Sequence, residues 1–210
     1  MKKYLIIDRP SRLLLHAGHN IRIAYMLYES LTETELLPID QSNSFFKNAN
    51  KTVMTNRSFL VDNKGIVTQS TKTFPDDLQA KRKLCKDKEK ILTNLLEMTS
   101  EWVESNNRFI FKGMETVVEI ALRDCDREEQ IFTQDILDYS KSVGMTPVDA
   151  YDCLNTYAGY LQQKKLKALG FIHKYSAMIG KADSTVEIDR VNALMYKEWT
   201  DSFLWKFSKD

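Results

Sequence analysis

The sequence predicts a predominantly α protein: a small N-terminal α+β unit over residues 1–74 (strand, helix, β-hairpin), then a four- to five-helix, bundle-like body over 75–210. Three observations predict it. Seven glycines and four prolines in 210 residues are too few for turn-rich sheet architecture, because those residues supply the backbone angles of tight turns. From Asp77 onward apolar residues recur at three- and four-residue steps, the period of a helix with one buried face. The strand-and-turn pattern is confined to the residues before the Phe74-Pro75 step, and the pattern changes beyond it.

Taken in order, Tyr4-Leu5-Ile6-Ile7 is a short apolar run ending at Asp8-Arg9-Pro10, a buried strand followed by a turn. From Ser11 to Leu31 the stripe Leu14, Ala17, Ile21, Ala24, Leu27 and Leu31 predicts an amphipathic helix. Gln41 to Lys51 is polar and reads as a loop. Thr52-Val53-Met54 and Ser58 to Val61 read as strand, Asp62-Asn63-Lys64-Gly65 as turn and Ile66-Val67-Thr68 as the returning strand. Gly65 supplies a positive φ at that turn. Thr71 to Asp77 reads as the linker.

In the second part a helix is predicted over 77–104, with Leu84, Ile91, Leu95, Met98 and Trp102 on its inner face. Others follow over 109–123 and 133–143. Thr146-Pro147-Val148-Asp149 opens a long helix, since threonine caps, proline fits the first helical position and an early carboxylate suits the dipole. That helix runs to Gly180, with Gly159 and Gly170 as candidate kinks. Ser184-Thr185-Val186-Glu187 is a capping box opening the last helix.

Composition excludes several classes. Thirty basic against 29 acidic residues leave a net charge of +1, so no global field draws the chain to nucleic acid or anionic lipid. Cys85, Cys125 and Cys153 are odd in number and widely spaced, as expected of reduced thiols in a cytosol. The apolar run at the N-terminus is too short for a signal sequence or a membrane span. A cytoplasmic protein, or in a viral setting one in the host cytoplasm or assembled particle, is expected. Walker A, GxGxxG, GxSxG, HExxH and CxxC motifs are absent from the sequence, and no cofactor is expected.

Five local patterns bear on function. Ile136 to Leu154 has a small residue at its fifth position (Ser140), glycine at its ninth (Gly144) and Ala150 where two helices would meet. Over these twenty or so residues it resembles the spacing of DNA-binding helix-turn-helix units. Its second helix, however, begins with Asp149 and Asp152 and has no cation before Lys164, the wrong chemistry for phosphate. Lys81, Arg82, Lys83 and Lys86 are the candidate nucleic-acid contacts, although an amphipathic helix also places such a run on a solvated face. His16 and His19 would share a helix face, but a metal site needs further ligands, and none is assigned. Asp8, Asp124 and Asp126 are the carboxylates that a metal-dependent nuclease would use.

The fifth pattern is aromatic. Tyr196, Trp199, Phe203, Trp205 and Phe207 crowd the C-terminal helix on more than one face, as contact anchors do. The leading expectation is therefore a non-catalytic protein-protein interaction protein, an adaptor, inhibitor or assembly factor, binding another protein or itself through that surface and not a membrane. Its Lys-rich, Gly/Pro-poor composition looks like that of small accessory proteins of large bacteriophages and other viruses. A helix-turn-helix transcriptional regulator is the second expectation and a metal-dependent nuclease the third.

Overall fold

The apolar run at the N-terminus becomes the middle strand of a small sheet. A computed structural model describes residues 3–29, 31, 33–39, 57–105 and 113–204. Within them strands β1 (Lys3–Asp8), β2 (Leu14–Gly18) and β3 (Thr34–Ile39) form an antiparallel sheet in the order β2-β1-β3. Helix α1 (Ile21–Glu29) lies between β2 and β3 in sequence, and β4 (Arg57–Val61) and β5 (Val67–Thr73) make a hairpin. Five helices follow: α2 (Asp76–Ser105), α3 (Met114–Arg123), α4 (Gln134–Val143), α5 (Pro147–Lys181) and α6 (Thr185–Ser202). The described residues are 64% helical, so the fold is predominantly α with an N-terminal α+β unit.

Helix forms in only the second half of the stripe from Ser11 to Leu31. Residues 14–18 pair instead with β1, with Leu5 opposite Ala17 and Ile6 opposite His16. Local hydrogen bonds favour this. Asp8 accepts from Ser11 Oγ at 2.6 Å and from Ser11 N at 3.2 Å, and Arg12 N donates to Asp8 O at 2.9 Å, which turns the chain back on itself. Leu13, Leu14, Leu15 and His16 are all buried, whereas a surface helix would expose part of such a run. His16 therefore sits in β2 and His19 beyond its end, so the two do not share a helix face.

Leu5, Ile7, Leu14, Phe59 and Val61 form the core that joins sheet to hairpin, supported by an isolated bridge between Leu13 and Leu60. At the hairpin turn Gly65 has φ 77°, as the turn requires, and Asp62 Oδ1 accepts from the backbone of Lys64 and Ile66 at 2.8 Å each. The expected strand Thr52 to Met54 and the loop 41–51 lie outside the described residues. Residues 71–73, expected as linker, belong to β5, and Phe74 after them is buried.

Asp76 and Asp77 stand in the first turn of α2, where carboxylates suit the dipole. Its buried face carries Cys85, Lys88, Leu92, Leu95 and Thr99 together with Ile91. That face is turned slightly from the expected one, leaving Leu84 half-buried. The capping residues act as the sequence predicts. Asp149 N donates to Thr146 Oγ1 at 3.1 Å, Glu187 N to Ser184 Oγ at 3.3 Å, and Asp183 N to Glu187 Oε2 at 3.0 Å. Helix α5 is continuous through Gly159 and Gly170.

By packing, the chain divides into two compact units, one of Met1–Glu97 with His173–Asp210 and one of Met98–Ile172. The expected boundary at 74/75 falls inside the first.

Candidate functional site

The first unit gathers most of the predicted contact residues, and it uses many of them internally. Trp199 stacks on Phe203 with ring centroids 4.4 Å apart and planes 11° from parallel, and the two are buried. Tyr196 is exposed, its hydroxyl 3.5 Å from Asn94 Nδ2. Trp205 and Phe207 lie outside the described residues. Beside the stacked pair, Glu198 Oε2 accepts from Tyr175 Oη at 2.7 Å and from Lys174 Nζ. Burial raises the Tyr175 phenol, and the bond to Glu198 raises it further, so it stays a donor.

The basic run on α2 divides in the same way. Lys81 Nζ reaches Asp8 at 2.9 Å, and Arg82 donates to Leu14 O at 2.7 Å with its guanidinium 3.5 Å from the Phe74 ring centroid. These two cations tie α2 to the sheet. Lys83 and Lys86 are exposed. Burial would raise the Asp8 carboxyl, but the hydrogen bonds from Ser11 and Lys81 outweigh it and hold Asp8 below its ordinary value.

Sequence reasoning missed a buried polar group between the sheet and α2. Tyr4, fully buried, donates to Glu89 Oε1 at 3.2 Å, and His16 Nε2 stands 2.9 Å from Glu89 Oε2, close by distance but not aligned as a hydrogen-bond donor. Cys85 is buried near them, and burial pushes its thiol up to about 12, which makes it a core residue at neutral pH. Partners this distant in sequence leave no local pattern.

Among the described residues no group of three or more His, Cys, Asp or Glu side chains could hold a metal. Asp8 is engaged by Ser11 and Lys81, and Asp126 Oδ1 accepts from the backbone of Glu128 at 2.9 Å and Glu129 at 3.0 Å.

In the second unit the helical corner forms with the geometry its spacing implies. Gly144 has φ 71° at the end of α4, Met145 N donates to Ser140 O at 3.0 Å, and Ser140 and Ala150 are buried. Val118, Ala121, Ile136, Ala150 and Leu154 make one core from α3, α4 and α5. Thr133 Oγ1 donates to Ala121 O at 2.7 Å, fastening α4 to α3. Arg127 forks onto Asp152 at 2.6 and 2.8 Å, and that hydrogen-bonded pair holds the carboxyl below its ordinary value.

Residues 113–152 carry ten Asp or Glu against three Lys or Arg. Arg127 is committed to Asp152, and Lys141 lies 3.8 Å from Asp138. The corner is therefore strongly acidic.

Helix α3 has more apolar residues than its packing uses. Val118 and Ala121 are buried, yet Met114, Val117 and Ile120, spaced by three, are 37%, 62% and 52% exposed. Residues three apart lie side by side on a helix, so these three form a continuous apolar ridge. The signal was present in Met114-Glu115-Thr116-Val117-Val118-Glu119-Ile120-Ala121-Leu122, whose apolar positions span too wide an arc for one buried face. No helix among the described residues is long and apolar enough to cross a membrane. No protein family, no curated protein and no solved structure matches this chain.

Proposed function

We propose that this chain is a non-catalytic interaction protein, an adaptor or assembly factor, that binds another protein through exposed apolar helix surface. The observation that carries the reading is the ridge Met114–Val117–Ile120, apolar and exposed on a helix whose other side is already packed. An exposed ridge of this kind costs solubility and adds nothing to the fold, which favours a use in contact. Tyr196, exposed on α6, is a second point of contact in this reading, while Trp199 and Phe203 support α6 from within.

Affinity capture tests it, comparing the intact chain with Val117→Ser/Ile120→Ser and with Tyr196→Ala, followed by identification of what is retained. A protein held in stoichiometric amount by the intact chain and lost from the double variant supports the reading. Equal retention by all three chains removes it.

A second reading, a helix-turn-helix DNA regulator, draws support from the αL turn at Gly144 and the close packing of Ser140 and Ala150. The acidic start of α5 counts against it. Retarded duplex DNA that is released by added salt would support that reading, and no retardation at low salt would end it.

A further inference from the structure

We infer that the partner element laid along Met114, Val117 and Ile120 is a cationic amphipathic helix of a second protein. This rests on the interaction reading above and names the chemistry of its ligand. Three features of the second unit specify it.

The first is shape. Met114 to Ile120 spans just under two turns of α3, about 9 Å at 1.5 Å per residue, with apolar side chains in one line. A helix with apolar residues three and four apart matches such a line by ridge-and-groove packing. An extended strand has no sheet edge here with which to pair, because α3, α4 and α5 supply the described secondary structure between residues 113 and 172.

The second is sign. Ten carboxylates against three cations lie in residues 113–152, and two of those cations already face carboxylates. Glu119, Asp124, Asp126, Glu128 and Glu129 are exposed, on α3 itself or directly after it. Beyond Ile120 the helix surface carries Arg123 and then Asp124, three and four residues on, so the ridge ends beside one exposed cation and one exposed carboxylate. A cation one turn beyond the apolar residues of the docked helix would meet that carboxylate.

The third is exclusion by the same sign. Nucleic acid and anionic lipid would be repelled by this surface. A second copy meeting it face to face would bring two net-acidic corners together, since a two-fold contact uses the same patch on both chains. A partner segment rich in Lys or Arg on its polar side meets none of these penalties.

The test uses the full chain and three fluorescent peptides of about 18 residues, long enough to form helix on a surface. One has Leu at i, i+3, i+4 and i+7 with Lys elsewhere. The second replaces each Lys by Glu, and the third keeps the Lys/Leu composition but scatters the Leu. Anisotropy titrations run at low and physiological ionic strength.

The amphipathic Lys peptide is expected to bind saturably at one per chain, at least tenfold more tightly than the Glu peptide or the scattered one. Val117→Ser/Ile120→Ser should weaken it at least tenfold, and Asp124→Asn should weaken it less and reduce its salt dependence. Ile120→Gln, a single change at an exposed site, serves if the double variant fails to melt cooperatively.

Equal binding of Lys and Glu peptides, equal binding by intact and variant chains, or no binding of the Lys peptide would overturn the proposal. So would a dimer seen by sedimentation of the intact chain and lost in Ile120→Gln. If capture still yields a partner that depends on Val117 and Ile120 while the peptides fail, the interaction reading survives and the cationic helix does not.

Discussion

Lys88 Nζ donates a 3.0 Å hydrogen bond to the carbonyl of Gly180, across 92 residues of sequence. The lysine is 1% exposed and stands at the C-terminal end of α5, where unsatisfied carbonyls and the helix dipole favour a cation. Next to it, Asp87 accepts from Thr185 Oγ1 at 3.3 Å in the first turn of α6, where the dipole favours an anion. One turn of α2 thus meets the end of one helix and the start of the next with the charge that suits each.

Burial lowers the Lys88 pKa, so desolvation offsets part of what its hydrogen bond contributes. Lys88→Met keeps the apolar stem and is expected to cost about 1 kcal/mol in urea unfolding. Lys88→Ala also opens a cavity and is expected to cost about 2–4 kcal/mol. Equal costs would mean that the ammonium contributes all of the effect and the stem none.

Gly18 lies directly under the Tyr4 ring. A methyl group at residue 18 would overlap Tyr4 Oη and Cζ and come within 2.6 Å of Cε1. Gly18→Ala is expected to cost about 1–3 kcal/mol by overpacking. Tyr4→Phe in the same chain should not restore the loss, because the ring carbons clash as well as the hydroxyl. Full rescue by Tyr4→Phe, measured by thermal melting, would contradict this packing.

Acid should weaken the first unit in a defined way. Burial raises the Glu89 carboxyl, but His16 and the Tyr4 hydroxyl together outweigh it, and Glu89, like Asp8, titrates below its ordinary value. A carboxyl with a folded pKa below its unfolded one stabilises the protein above the unfolded value, near pH 4, and loses that contribution as pH falls through the folded value. Unfolding free energy should therefore fall below about pH 5. Asp8→Asn/Glu89→Gln should lower stability at pH 7 and flatten the acid limb; a parallel limb would exclude these two groups as its source.

How much of this was legible beforehand varies with the range of the interaction. Thr146-Pro147 and Ser184 to Glu187 announced their helix starts because a cap is decided within four residues. Leu14 and Ala17 carry helical spacing yet lie in a strand, because their partner, β1, can be recognised only from the pairing. Lys88 and Glu89 follow directly on the basic run of Lys81 to Lys86, and nothing near them in sequence names Gly180 or Tyr4. The aromatic end was visible as composition, but which rings face inward depends on what α6 packs against.

Trp199 and Tyr196, three residues apart, should behave oppositely. Trp199 is buried on Phe203, so Trp199→Ala is expected to cost about 3–5 kcal/mol. Tyr196 is 43% exposed, and Tyr196→Ala should cost less than about 1 kcal/mol. Similar losses at the two positions, by urea unfolding, would contradict the placement of α6.

Photocrosslinking in cells of the native source decides whether the α3 ridge contacts another protein. A photoreactive phenylalanine analogue replaces Ile120 in one chain and the exposed Arg190 of α6 in another. A discrete protein adduct is expected from position 120 and none from 190. No adduct from 120, or the same adducts from both positions, would contradict that contact.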